Sequence, residues 1–179
     1  VGEPEEAWVP TGCLMALEAL KNASPNHRLL LADFDYLPDP ICGAVNSPIV
    51  AQKREETGAR GQTRDLGTYL VEQGEADIFF PTDFGLLRTM YLSVMEEGHV
   101  PGTCHSEAAV VPHGRFFKEY ADIGATTMAN GENALVEDYS NMKIFVAESS
   151  SLSSSSLSSS GGFESLLPPK RPWIGVKSK

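Results

Sequence analysis

A short apolar run at residues 29–34, Leu-Leu-Leu-Ala-Asp-Phe, constrains the fold of this chain more than any other feature. The run has the length of a strand and does not alternate between polar and apolar positions. This is typical of a strand buried on both faces of a mainly parallel sheet. Because helices must cover both faces of such a sheet, the run predicts an α/β fold. The chain has 179 residues, of which 41% are apolar, enough for one domain with a single core.

Two segments have the apolar spacing of amphipathic helices. Leucines at positions 14, 17 and 20 predict a helix over about 11–21, which Ser24-Pro25-Asn26 should stop. Pro81-Thr82-Asp83 is typical of a helix start, and the predicted second helix ends before Gly98. Its apolar stripe consists of Phe84, Leu87, Met90, Tyr91 and Val94.

Shorter elements complete an alternating pattern. Strands are predicted at about 48–51, 68–71, 76–80, 108–111 and 141–147, with a short helix at 112–120 that buries Phe116, Phe117 and Tyr120. The charged segment Lys53 to Asp65 is predicted to be a mobile surface loop.

The composition changes abruptly near residue 149. Residues 149–160 are nearly all serine and Gly161-Gly162 follows, which predicts a flexible linker over 149–162 after an α/β domain at 1–148. The tail at 163–179 is basic and contains Pro168, Pro169 and Pro172. It is either a ligand for a groove that binds extended proline helices or an undocked extension.

Charge and cysteine usage argue against several classes of partner and site. A net charge of -10, with acidic residues spread along the chain, disfavours nucleic acid as a partner. No apolar run reaches membrane-spanning length. Three cysteines without C-x-x-C spacing favour a reducing compartment over a disulfide framework. His99, Cys104 and His105 do not complete a tetrahedral set, so no metal site is expected.

Nucleotide and catalytic motifs are sparse. The sequence has no G-x-G-x-x-G, no Walker loop and no G-x-S-x-G. Ligands in open α/β sheets collect at strand carboxyl ends, so Asp33, Phe34 and Asp35 are the candidates for a cofactor crevice. The alternative is a merely structural strand end. Asp83 is expected to cap its helix, and His113 to lie near a helix start rather than act as a general base.

Several segments, taken in order, resemble the C-terminal half of MidA-like S-adenosylmethionine-dependent methyltransferases. This family includes a mitochondrial complex I assembly factor with protein arginine methyltransferase activity. The resemblance covers about residues 8–147 and is most specific over Gly74 to Leu87. The sequence departs from the family at Asp35, where glycine is usual, at Pro81, and in the apparent insertion from Lys53 to Asp65. The similar segments are Leu31-Ala32-Asp33-Phe34, Gly74-Glu75-Ala76-Asp77-Ile78, Thr82-Asp83-Phe84 with Leu87, Phe116-Phe117, Ile123-Gly124 and Met142 to Val146.

The resemblance implies part of a doubly wound, Rossmann-like methyltransferase sheet that lacks its N-terminal cofactor-binding strands. The cofactor would be S-adenosyl-L-methionine, bound mainly by residues upstream of this chain, so the catalytic residues are not assigned and the chain alone is expected to be inactive. The implied function is arginine methylation of a protein substrate in mitochondria, with a complex I subunit as the candidate substrate, although residues 1–30 contain no pattern of a targeting signal. The alternatives are a non-catalytic protein-binding module on the same half-sheet, or a hydrolase whose nucleophile has no recognisable motif.

Overall fold

A computed structural model describes residues 8–37, 48, 50–54, 63–100 and 103–151 of the chain. Helices and strands alternate in this part of the chain as a mixed α/β fold. In chain order the elements are α1 (Thr11–Ala23), β1 (His27–Phe34), β2 (Val50–Arg54), β3 (Thr63–Leu66), β4 (Asp77–Phe79), α2 (Phe84–Glu96), β5 (Cys104–Pro112), α3 (His113–Tyr120), α4 (Ile123–Thr126), α5 (Ala134–Glu137) and β6 (Met142–Ser151).

The main sheet has the strand order β1-β6-β5. Both pairings are antiparallel: Leu30 lies opposite Val146, and Val111 lies opposite Ile144. β1 and β5 therefore run in the same direction on either side of β6. The predicted pairing of 29–34 in a mainly parallel sheet is wrong for the described strands, since the neighbour of β1 is antiparallel.

The predicted burial of β1 on both faces is also wrong. Leu30 is 55% exposed and Leu31 is 38% exposed. Among the described strands β1 lies at the edge of the sheet, whereas the four successive residues 144–147 of the central strand β6 are all buried. A continuous apolar run is compatible with either position, because periodicity does not identify the neighbours of a strand.

Helices cover both faces of the main sheet. Alternate residues of β6 face opposite layers, as the two-residue period of a strand requires. Phe145 and Ala147 belong to the core formed with α1 and α2, which also contains Tyr91 and Met95. Ile144 and Val146 pack on the other face against the half-buried α3 side chains Phe116, Phe117 and Tyr120. The result is a three-layer arrangement.

Both long helices confirm the sequence prediction. α1 continues two residues past the predicted end, to Ala23, and α2 begins directly after Asp83. Gly98 has a φ of 74°, a left-handed conformation that suits glycine after the end of α2. Lys21 of α1 donates hydrogen bonds from Nζ to the carbonyl oxygens of Val94 (2.8 Å) and Glu97 (2.6 Å). A cation is thus placed at the negative end of the α2 dipole.

A second antiparallel sheet has the order β3-β2-β4. β4 confirms the predicted strand near 76–80, and β2 lies close to the one predicted at 48–51. The loop prediction for Lys53 to Asp65 is wrong at both ends, because Lys53 pairs with Arg64 in the ladder of β2 and β3; residues 55–62 lie outside the described residues. The strand predicted at 68–71 is absent from the described structure, where bends replace it.

The final strand extends beyond its predicted end. β6 runs through Ser151, and Ser149 is only 3% exposed opposite His27 and Ser106. Asn26 accepts a 2.7 Å hydrogen bond from the backbone N–H of Ser151. The first three residues assigned to the linker are therefore strand, because ladder partners compensate for their low strand propensity. The remaining linker prediction, 152–162, and the tail at 163–179 lie outside the described residues. None of the described helices has both the length and the apolar character needed to cross a membrane.

Candidate functional site

A cavity of about 490 Å³ opens where the N-terminal ends of α1 and α2 meet the segment after β4. Most of its walls are apolar, and among the described residues that line it Asp83 alone is charged. Cavities of about 300 to 1,000 Å³ with few polar groups are typical of ligand sites. The lining residues are Trp8, Val9, Pro10, Gly12, Cys13, Phe80, Pro81, Thr82, Asp83, Leu86, Leu87 and Met90.

The carboxyl end of β1 lies next to this cavity and is joined to its wall. Thr82 donates a hydrogen bond from its hydroxyl to Asp33 Oδ2 (2.6 Å), and its backbone N–H donates to the carbonyl oxygen of Phe34 (2.8 Å). The other carboxylate oxygen of Asp33 accepts the N–H of Phe34 at 2.8 Å. Asp33 therefore holds the cavity segment against β1.

The three crevice candidates have different environments. Asp35 forms an ion pair with Lys143 (2.7 Å between Oδ2 and Nζ), and its backbone N–H donates to Asn141. Neither Asp33, Phe34 nor Asp35 belongs to the cavity lining. The structure thus places the predicted crevice residues behind the cavity, where Asp33 and Phe34 support one of its walls.

Asp83 is the N-cap of α2 and also lines the cavity. Its Oδ1 accepts the backbone N–H of Leu86 at 2.9 Å, which confirms the capping role predicted from the sequence. Phe84 and Leu87 follow it into the core, where both are buried. The cap therefore fixes one carboxylate oxygen of a residue that lines the cavity.

An aromatic group that the sequence analysis missed also contributes to the cavity wall. The ring of Trp8 meets Tyr69 in a T-shaped contact with centroids 5.2 Å apart, and its centroid lies 5.9 Å from that of Phe80. Trp8 precedes α1, whereas Tyr69 precedes β4 and Phe80 follows it, and no local pattern joins the three residues. Cys13 also lines this cavity, and burial raises the pKa of its thiol, which keeps it protonated at neutral pH.

The histidines and Cys104, the other cysteine in the described part of the chain, do not converge on a site. Within the described ranges no group of three or more His, Cys, Asp or Glu side chains is placed to hold a metal ion. The Sγ of Cys104 lies 3.8 Å from the Met95 carbonyl oxygen, whereas His105 lies 3.2 Å from Glu107. His113 begins α3, as predicted, and burial lowers its pKa.

A buried polar pair, Tyr91 and His27, has a structural role. His27 Nδ1 donates to the carbonyl oxygen of Ser24 (2.7 Å), which leaves Nε2 to accept the hydroxyl of Tyr91 at 3.0 Å. Burial raises the pKa of Tyr91 well above its usual range. Because Tyr91 is fully buried against Phe145, this pair stabilises the core and offers no surface for a substrate.

Comparison with known families places this cavity in a functional context. The model of the family described as "Putative S-adenosyl-L-methionine-dependent methyltransferase" matches residues 2–99, more than half of the chain. The chain belongs to this methyltransferase family. All lining residues of the cavity fall within the matched range. No match was found among curated proteins or among solved structures.

The cofactor of this methyltransferase family is S-adenosyl-L-methionine. Doubly wound folds bind such a nucleotide-like group through a glycine loop between a strand and a helix, with a carboxylate on the ribose. The sequence has no G-x-G-x-x-G, and Asp33 is already engaged by Thr82 and Phe34. The described residues therefore do not fit the whole cofactor.

Proposed function

We propose that the chain is the C-terminal part of a MidA-like protein arginine methyltransferase that supports complex I assembly in mitochondria. Membership of an S-adenosyl-L-methionine-dependent methyltransferase family supplies the reaction class. The resemblance to MidA-like enzymes supplies the acceptor, the cellular role and the compartment. Its most specific stretch, Gly74 to Leu87, contains β4, the Asp83 cap and the start of α2, all inside the range matched by the family model.

The strand directions in the main sheet support the proposal that the fold is doubly wound. β1 and β5 run in the same direction, β6 runs antiparallel between them, and helices cover both faces. Doubly wound sheets are mainly parallel and commonly carry an antiparallel strand near one edge. The described strands are compatible with that end of the sheet. Cofactor-bearing strands would then pair with the outer edge of β1.

The chemistry assigns a positioning role to this chain. Methyl transfer to arginine requires a guanidinium nitrogen in line with the methylsulfonium, and a group that accepts the released proton. The cofactor, when bound, supplies the electrophilic methyl group. Among the described carboxylates Asp33 is held by Thr82 and Asp35 by Lys143, so neither is assigned as the proton acceptor. We propose that the cavity beside β1 orients the acceptor.

A non-catalytic binding module is the second candidate, and one observation favours it. Leu30 and Leu31 of β1 are 55% and 38% exposed, which leaves one partly uncovered leucine on each face of this edge strand for a partner to contact. In that case the half-sheet would dock a protein without transferring a methyl group. The two candidates differ in whether a glycine-rich loop is encoded upstream of Val1.

A two-stage experiment tests the proposal. Transcript sequencing upstream of the Val1 codon should find a glycine-rich loop between a predicted strand and helix. The full-length product, incubated with S-adenosyl-L-methionine carrying an isotopically labelled methyl group and mitochondrial protein, should label arginine as read by mass spectrometry. Label on lysine would contradict the arginine assignment. An upstream start codon without that loop, combined with no labelled protein, would favour the binding module.

A further inference from the structure

The cavity between α1 and α2 has one wall of aromatic rings and one carboxylate at its edge. The aromatic wall consists of Trp8 and Phe80, supported by Tyr69 behind Trp8, and the carboxylate belongs to Asp83. We propose that this cavity binds a cationic side chain, namely the guanidinium group of an arginine in a polypeptide. That this arginine is the methyl acceptor rests on the proposed function; the preference for a cation does not.

The aromatic wall favours a cation over an anion. The face of an indole or phenyl ring carries partial negative charge and attracts guanidinium groups placed within about 6 Å of its centroid. Trp8 meets Tyr69 at an interplanar angle of 88° and Phe80 at 58°, so the three rings are not stacked flat on one another. Phe80 is half exposed, which leaves its ring accessible from the cavity. A planar guanidinium group can stack on such a surface, which a compact ammonium does less well.

The carboxylate of Asp83 completes the recognition of a cation. Its Oδ1 is engaged by the N–H of Leu86, and its Oδ2 has no hydrogen bond within the described residues. Among the described residues that line the cavity, none is a lysine or arginine that would neutralise it. The net charge of the chain, -10, further repels anionic ligands. The proposal assigns Oδ2 as the acceptor for a guanidinium donor, while the cap to Leu86 persists.

The volume of the cavity suits a long side chain. A volume of about 490 Å³ exceeds what one small cation fills. Leu87 and Met90 provide an apolar surface for the methylene stem of an arginine. A neutral apolar group is the main competing ligand, and the experiment has to separate the two.

Fluorescence of Trp8 provides a direct measurement. The chain has two tryptophans, so Trp173→Phe in the full chain leaves Trp8 as the sole indole reporter. N-acetyl-arginine amide should change the emission saturably, and N-acetyl-citrulline amide, which has nearly the same shape without the charge, should bind at least tenfold more weakly. Equal binding of the two probes would assign the cavity to apolar ligands and overturn the proposal, as would the lack of any saturable response to the arginine probe.

Two substitutions locate the binding. Asp83→Asn keeps an oxygen for the cap and removes the charge, and Phe80→Leu keeps an apolar side chain and removes the ring; each should raise the Kd for the arginine probe about tenfold. Asp122→Asn is the matched control, because Asp122 caps α4 in the same way, accepting the N–H of Ala125 at 3.0 Å, and does not line the cavity. Unchanged affinity in an Asp83→Asn protein with the wild-type unfolding midpoint would overturn the proposal.

The failure of this inference is distinguishable from failure of the proposed function. If arginine binding depends on Asp83 but the protein labels no arginine, the cation site stands and the assignment as an arginine methyltransferase fails. Arginine labelling by the full-length product with an unchanged KM in Asp83→Asn would do the reverse.

Discussion

The hydroxyl of Thr82 donates a 2.6 Å hydrogen bond to the carboxylate of Asp33. Because Thr82 directly precedes Asp83, the N-cap of α2, this bond joins the end of β1 to the start of α2. The two residues are far apart in sequence, yet this contact and the backbone bond from Thr82 to Phe34 fix the wall of the cavity. The position of Asp83 relative to the main sheet depends on this pair. Its loss should therefore affect both stability and the cavity.

Replacing Thr82 by valine tests this relationship, since valine has nearly the same shape but no donor. Hydrogen bonds to charged groups contribute about 1.5 to 3 kcal/mol, and the partly buried Asp33 would lose one. We expect Thr82→Val to lower the free energy of unfolding by about 1 to 3 kcal/mol in a denaturant titration. Thr89→Val is the control, because the Thr89 hydroxyl donates only to the carbonyl of Gly85 in its own exposed helical turn. Equal costs for the two variants would show that the contact with Asp33 contributes nothing specific.

Truncation of Phe84 should be among the most damaging core changes. Phe84 is 2% exposed and belongs to the cluster shared by α1, α2 and the main sheet. Removal of a buried aromatic side chain leaves a cavity and costs about 3 to 5 kcal/mol, so we expect this loss in the unfolding free energy of Phe84→Ala. Leu70→Ala is the comparison, because Leu70 is largely exposed. A Phe84→Ala loss close to that of Leu70→Ala would contradict the assigned core.

Removal of the Asp83 side chain should have a smaller effect. Asp83→Ala deletes the acceptor for the Leu86 N–H and should cost about 1 kcal/mol, as the loss of an N-cap does. Asp83→Asn retains a capping oxygen and should cost less than Asp83→Ala. Thermal or denaturant unfolding of the two variants under identical conditions measures the difference. If both lose the same stability, the charge rather than the cap stabilises α2.

The sequence predicted the helices better than the strands. The apolar stripe of α2 has one buried face, so its periodicity records its environment directly. The run at 29–34 records only that apolar residues are present, and Leu30 turned out to be exposed at the edge of the described sheet. Residues 144–147 carry the same type of run and occupy its centre. Pairing partners decide which run is central, and those partners are distant in sequence.

The candidate site was predicted only in part. Asp83 could be recognised as a cap because N-caps follow local sequence rules. Asp33 was expected to line a cofactor crevice, which stays a prediction; its carboxylate accepts hydrogen bonds from Thr82 and the N–H of Phe34 beside the cavity. The contact between Trp8 and Tyr69 could not be predicted, because long-range folding of loops brings these rings together. Composition identifies such aromatics but gives no information on their neighbours.

The buried imidazole of His113 should make stability dependent on pH. His113 is 6% exposed, its ring lies 4.5 Å from Phe117 and 5.3 Å from Tyr139 between centroids, and burial lowers its pKa. The folded state therefore binds fewer protons than the unfolded state, whose histidine pKa is about 6.5. The contribution of neutral His113 to the free energy of unfolding is therefore greatest above the pKa of the unfolded state. It decreases as the pH falls from that pKa toward the lower pKa of the folded state.

The unfolding free energy measured between about pH 7.5 and 5 tests this dependence around the reference histidine pKa. His113→Gln should have a shallower pH slope than the wild type over this interval, even if its stability at neutral pH is lower. His99→Gln, at an exposed turn after α2, should retain the wild-type slope. A His113→Gln slope identical to that of the wild type would assign the pH dependence to other groups.

The last prediction concerns the cofactor of the family. Binding of S-adenosyl-L-methionine by a doubly wound fold relies on backbone donors of a glycine loop and on a ribose-binding carboxylate. The 179 residues contain no G-x-G-x-x-G, and Asp33 at the end of β1 already accepts two hydrogen bonds. Titration calorimetry of this chain with S-adenosyl-L-methionine should therefore show no saturable heat at micromolar concentrations, whereas the longer product proposed above should bind it. A variant with both Asp33→Asn and Thr82→Val is informative if the chain does bind. If this double variant loses affinity for S-adenosyl-L-methionine but remains as folded as the wild type, the ribose-binding carboxylate would be Asp33. That result would contradict the proposal that upstream strands bind the cofactor.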